Sequence, residues 1–340
     1  MKKTGFSISL LVLLAMLASA CGNNNDSSSG ASSSQPPASS AAVAESPSAP
    51  SSSETPADAS ATRTVHYLDK DYVVPADARR IVITGAVEAM EDAILLDAHP
   101  VGAISFAGAF PSMFQTITDQ ATSVGEKTEP NFETILSLKP DVILSSTKFP
   151  AEVTEKLEKI AATIPYSHIA TNWEANARLL GELSGKQEQA EQAIAQYKSD
   201  LDAAKAKFGE SLKGKKVVAL RVRAGEMFLY PETVFFNPVL YGDLGLEVPA
   251  EVKVAKAQEA ISVEKFAEMN PDYLFIQFLD SENKDTPKVL EDLQNNPIIK
   301  SVNAFKNGKA FVNVVDPLAQ GGTAYSKVAF LKEAVAKLAE

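Results

Sequence analysis

A chain of 340 residues, 45% apolar and 22% charged, is long enough for two ordinary domains with sizeable cores. Its 32 Lys+Arg against 43 Asp+Glu give a net charge of −11, which argues against a nucleic-acid binder with a basic face. One cysteine rules out an internal disulfide framework or a Cys-rich metal site, and the scattered His66, His99 and His168 argue against a histidine cluster.

The first elements are expected to be processed or unstructured. Lys2 and Lys3, the apolar run Ile8 to Leu17 and the small residues Ala18-Ser19-Ala20 read as an export signal over residues 1–20. The apolar run is too short to span a bilayer, which needs about 20 residues. The chain's lone cysteine, Cys21, follows at once with Gly22 behind it, an arrangement that resembles a bacterial lipoprotein signal; the departure is Leu17, one position earlier than the usual leucine. Cys21 is therefore expected to carry lipid. In residues 22–62, 28 of 41 positions are Ser, Ala or Pro, so 21–62 reads as a lipidated cysteine and a disordered tether. The remaining 63–340 holds 30 basic and 39 acidic residues, net −9.

From residue 63 onward strand-like and helix-like stretches alternate, the pattern of an α/β fold. Val65–Leu68 and Tyr72–Val74 read as a small hairpin. Arg80–Thr84, Val101–Phe106, Val142–Ser146 and Ile164–Ser167 suit buried parallel strands. Helical patterns fall at Val87–Asp97, Phe132–Leu138, Ala151–Ala161 and Trp173–Leu183. A second set of strands comprises Lys216–Val222, Tyr273–Phe278 and Ala310–Val314, and a last helix runs from about Thr323 to Ala339. Between the sets, Gly185 and Gly209 bracket one long helix with Ala190, Ala193, Ile194, Tyr197, Leu201, Ala204 and Phe208 at helical spacing. It is either a strut between two lobes or a long surface helix of one domain.

An internal repeat favours two lobes. Asn131 to Leu144 and Ser262 to Phe275 each give a capping residue, a glutamate two positions on (Glu133, Glu264), an apolar helix, Pro-Asp and then a strand, at an offset of 131 residues. The expected organisation is an N-terminal lobe at 63–185, a linking helix at 186–209 and a C-terminal lobe at 210–340, with a ligand cleft between lobes.

Common catalytic and nucleotide motifs are missing from the sequence: there is no Gly-x-Gly-x-x-Gly after a strand and no Gly-x-Ser-x-Gly. Gly181 to Lys186 has the wrong spacing for a phosphate loop and reads as a helix–helix joint. His66 and His99 are expected to be structural or solvated, whereas His168 follows a strand and is a possible ligand contact. Arg221 and Arg223 lie two apart on one strand, so both project from one face, costly unless an anion or an acid neutralises them. Lys148 ends another strand, where open α/β sheets bind ligands. Lys127 and Lys256 precede Glu133 and Glu264 and are expected in similar loops of the two lobes. Each lysine alone reads as a solvated surface charge; the five cations together suggest an anion-binding cleft. Glu133 and Glu264 would stabilise helix N-termini.

The lipoprotein-like start, polar tether, two lobes, long helix and paired Pro-Asp repeats resemble the substrate-binding lipoproteins of iron–siderophore ABC importers across essentially all of 63–340. Glu88-Ala89-Met90-Glu91-Asp92, Gly125 to Pro130, Ser167 to Asn176 and Arg221-Val222-Arg223 are similar to the branch that binds ferric bacillibactin and enterobactin-type triscatecholates. The resemblance implies two Rossmann-like lobes joined by one rigid helix, the class III periplasmic-binding-protein type. It also implies ligand contacts from Lys127, Lys148, Arg221, Arg223, Lys256 and Gln258, and docking of Glu133 and Glu264 onto a dimeric ABC permease. Further implications are a monomer held outside the cytoplasm by lipid on Cys21, no catalysis, no nucleic-acid partner and no cofactor, iron being bound only through the siderophore. Rival readings are a citrate-type or hydroxamate siderophore, haem or cobalamin on the same fold, or an exported α/β enzyme.

Overall fold

A computed structural model describes residues 61–340. The expected signal, Cys21 and nearly all of the tether lie outside the described residues. The chain enters on an antiparallel hairpin of β1 (Thr62–Tyr67) and β2 (Lys70–Pro75). β1 starts at Thr62, so ordered pairing reaches one residue into the stretch expected to be tether.

Two five-stranded sheets follow. The first contains β3 (Ile81–Thr84), β4 (Gly102–Ser105), β5 (Thr122–Glu126), β6 (Val142–Ser146) and β7 (Ala162–Tyr166), in the order β5-β4-β3-β6-β7 with every neighbour parallel. The second contains β8 (Val217–Arg223), β9 (Glu226–Leu229), β10 (Glu259–Ile261), β11 (Tyr273–Phe278) and β12 (Ala310–Val312), in the order β10-β9-β8-β11-β12. Their central strands are apolar along their length because both faces are covered. Ile81 and Ile83 pack into one core and Val82 into another; in the second sheet Val217 and Ala219 face one core while Val218, Leu220 and Val222 face the other.

The second sheet departs from the sequence expectation at β9 and β10. Ala224 and Gly225 both take positive φ, 49° and 82°, and form a two-residue turn that pairs Arg223 with Glu226. Such a turn sends β9 back antiparallel to β8. β10 then occupies the edge position that β5 holds in the first sheet. Lys127 follows β5, whereas Lys256 precedes β10, so the two lysines flank opposite ends of equivalent edge strands and are not in matching loops.

The repeated Pro-Asp has a structural cause. Lys139 and Asn270 both sit at φ 46°, ending their helices, and the aspartates that follow anchor strand starts. Asp141 accepts hydrogen bonds from the backbone of Arg79 and Arg80 (2.8 Å each), just before β3, and Asp272 accepts from Lys216 (3.0 Å), just before β8.

The helix Gln187–Phe208 runs 22 residues, about 33 Å at 1.5 Å per residue. Its buried stripe of Ala190, Ile194, Tyr197, Leu201, Ala204 and Phe208 packs mainly against Trp173, the second sheet and the C-terminal helix Ala324–Leu338. That C-terminal helix is tied to the first lobe by two buried carboxylates of the helix Val87–Leu96. Glu91 accepts from Gln320 N (2.7 Å), Thr323 Oγ1 (2.6 Å) and Ser326 Oγ, while Asp92 accepts from Ala324 N (2.9 Å) and Tyr166 Oη (2.7 Å). These donors and the helix N-terminus favour the ionised forms, but burial is the larger effect and pushes Glu91 up to about 8 and Asp92 up to about 7. Groups raised in this direction stabilise the fold when protonated and cost stability as pH rises through their folded values. The thermal unfolding midpoint is therefore expected to fall between pH 6 and pH 9, with a shallower fall in Glu91→Gln; a calorimetric scan showing equal slopes would contradict this.

Candidate cationic cleft

The site is built where strands of the two sheets end. β5 runs into a tight turn in which Glu126 N donates to Glu129 O (3.1 Å) and Asn131 N to Val124 O (2.8 Å). Gly125, at φ 104°, lets this turn close: a Cβ there would lie 2.3 Å from the carbonyl oxygen of Glu129. The Glu126 carboxylate accepts from Gly108 N (2.9 Å), Ala107 N (3.0 Å) and Ser105 Oγ (2.9 Å), fixing the turn that presents Lys127. Gly125→Ala is expected to cost about 1–3 kcal/mol of stability through forced backbone strain and to displace Lys127. Denaturant unfolding together with a ligand titration checks both effects.

β6 leads directly to Lys148, whose backbone N–H donates to Ser146 Oγ (3.1 Å). Its ammonium lies 2.8 Å from Oε1 of the buried Glu88, and the other oxygen of Glu88 is buried with no hydrogen-bond partner. Next door, the ring of Phe149 packs against Gly85, leaving no space for a Cβ. His168 follows β7, exposed, with Nδ1 2.7 Å from Thr147 Oγ1. Partial burial, reinforced by the charge of Lys148 and opposed by Glu88, holds its imidazole below the usual range.

The second lobe contributes Arg221 and Arg223 from the end of β8, the central strand of its sheet. Arg221, with its side chain only 13% exposed, donates to both oxygens of Glu282 through Nε (2.8 Å) and Nη2 (2.9 Å). The sequence left open whether an anion or an acid offsets this burial; Glu282 is that acid. Arg223 is 48% exposed and its Nε lies 3.7 Å from the same carboxylate. The buried Asn283 holds Glu282 in place: its side chain donates to Val222 O (3.1 Å) and accepts from Gly225 N (3.1 Å), clamping the β8–β9 turn. Tyr230 Oη donates to Gln258 Oε1 (3.1 Å), and burial raises the Tyr230 phenol, which the Arg221 charge opposes.

Electrostatic coupling ties these groups together across the lobes. Lys127 is half-buried and forms no ion pair among the described residues. Burial lowers its pKa, and the charges of Lys148 and Arg221 lower it further, while Glu88 and Glu282 oppose them. Lys127, Lys148, Arg221 and Arg223 are thus brought into one cluster with two carboxylates. Lys256, two residues before Gln258, is exposed, and its backbone N–H donates to Glu259 (2.9 Å). Glu88, Glu282 and Tyr230 are the members that sequence reasoning did not assign to the site. Among the described residues no group of three or more His, Cys, Asp or Glu could hold a metal ion.

Glu133 and Glu264 occupy the first turns of the short helices Phe132–Ser137 and Val263–Met269, behind the capping side chains of Asn131 and Ser262. Both are exposed and neither joins an ion pair among the described residues.

This architecture, two α/β lobes with a cleft at strand ends, places the chain in the periplasmic binding protein family, whose model matches residues 95–313. It has the class III form of that family and is a binding protein rather than an enzyme. Among its relatives is the iron-uptake system-binding protein of Bacillus subtilis (strain 168), 55% identical over 282 residues, which cover 83% of this chain and 89% of that protein. A crystal structure of the triscatecholate siderophore binding protein FeuA from Bacillus subtilis, complexed with ferri-bacillibactin, matches at 55% identity and TM-score 0.77, covering 82% of this chain and 98% of that one. The catecholate-siderophore binding protein VctP from Vibrio cholerae shares the fold, with TM-score 0.67 at 22% identity over 82% of this chain and all of that one.

Proposed function

We propose that the chain is an extracytoplasmic receptor, anchored through lipid on Cys21, that captures an anionic ferric triscatecholate and passes it to a dimeric ABC permease. The observation that carries this reading is Lys127: a half-buried ammonium beside two further cations, without an ion-pair partner among the described residues. Placing like charges together under partial burial is costly until an anion arrives. A ferric triscatecholate is a compact trianion whose iron is already fully coordinated by its own oxygens. It therefore needs cations and hydrogen-bond donors rather than metal ligands, and charge-assisted bonds from Lys and Arg supply them. The ammonium and guanidinium groups also suit the faces of catechol rings, at about 0.5–2 kcal/mol per contact. The identity with a protein solved around ferri-bacillibactin supports the same ligand class here. Glu133 and Glu264, exposed at matching places on the two lobes, are the proposed contacts with permease cations.

Titrating the chain with a panel of ferric siderophores, followed by quenching of Trp173 fluorescence, tests the reading. Ferric triscatecholates are expected to bind at least tenfold more tightly than neutral ferric trihydroxamates. Equal affinity for both, or preference for the neutral complexes, would overturn it.

A further inference from the structure

We propose that Glu88 and Glu282, one from each lobe, are resident counter-ions that orient the cleft's cations and attenuate its pull on anions. The inference deepens the receptor reading by assigning specificity-determining residues to the same site. Each carboxylate holds a cation: Glu88 lies 2.8 Å from the Lys148 ammonium, and Glu282 grips Arg221 through Nε and Nη2. That grip fixes the plane of the guanidinium. Glu88 is buried, yet its second oxygen has no hydrogen-bond partner, so its charge is only partly compensated within the protein. Glu282 also sits 3.7 Å from Arg223 and acts on two cations at once.

Four clustered cations facing two carboxylates keep a reduced positive charge. A trianion is still drawn in strongly, whereas abundant small anions gain too little to occupy the cleft, and the captured ligand remains releasable. The effect is Coulombic, so it acts on charged ligands and not on neutral ones, and salt screens it.

The test uses the full chain as wild type, E282Q, E282A and E88Q, with thermal unfolding to confirm folding. E282Q keeps one acceptor for the guanidinium while removing the negative charge. It is expected to bind ferric enterobactin about threefold to tenfold more tightly than wild type, with a steeper salt dependence and unchanged affinity for a neutral ferric trihydroxamate. E282A, which also frees the guanidinium, is expected to gain less than E282Q, and E88Q to gain in the same direction as E282Q. Calorimetric titration with inorganic phosphate supplies an arm independent of the siderophore, in which E282Q is expected to bind more tightly than wild type. If wild type does not bind ferric enterobactin, the receptor reading fails, and the phosphate arm still decides the counter-ion role. If wild type binds but E282Q binds neither ferric enterobactin nor phosphate more tightly, the counter-ion role is wrong. An equal gain in E282A would remove the orienting half of it.

Discussion

Replacing both Arg221 and Arg223 by alanine is expected to weaken ferric triscatecholate binding at least tenfold, equivalent to about 1.4 kcal/mol. The two guanidinium groups extend from one face at the end of β8, and Arg221 is held in a fixed orientation by two hydrogen bonds to Glu282. Their loss removes two sets of charge-assisted donors. It also strips Glu282 of its partners, leaving a carboxylate in the cleft that repels the incoming trianion. For this reason the double substitution is expected to cost more than the loss of two exposed charges, whose pairs are worth about 0–1 kcal/mol. Fluorescence quenching measures it, and an affinity equal to that of wild type would show that the ligand does not use this strand end.

Charge reversal at Glu133 and Glu264 is expected to separate capture from delivery. Both side chains are exposed and free of ion pairs among the described residues, and the helices they start are capped by Asn131 and Ser262. Glu133→Lys together with Glu264→Lys should therefore leave the fold intact apart from a loss of about 0.3–1 kcal/mol per helix terminus. Siderophore affinity should be unchanged, while siderophore-dependent iron uptake by cells should fall to the level of a strain lacking the protein. Uptake that persists at the wild-type rate would mean the permease is met elsewhere.

Much of the fold was legible because its signals are local. β3, β6 and β11 are buried on both faces and read as unbroken apolar runs, and the long helix was marked by its buried stripe and its two glycines. β5 escaped because an edge strand of Thr122, Ser123, Val124, Gly125 and Glu126 has little apolar pattern, and β9 and β10 because three or four residues are too few to show a period. The turn that creates β9 did leave a trace, since Ala224-Gly225 between strand-like stretches suits a two-residue hairpin. The cations of the site stood out against an acidic chain. Their carboxylate partners did not: Glu282 lies 61 residues from Arg221 and Glu88 lies 60 from Lys148, and one glutamate among many carries no positional signal until the sheets are assembled.

The central claim is that the cation cluster of Lys127, Lys148, Arg221 and Arg223 is the ligand site, and a crystal structure of the chain with ferric enterobactin tests it most directly. The expected result is a single ferric complex between the lobes, its catecholate oxygens within hydrogen-bond distance of the Lys127 and Lys148 ammonium groups and of both guanidinium groups, and no protein atom bonded to iron. A complex seated away from these four side chains, or iron stripped from the siderophore and held by the protein, would contradict it.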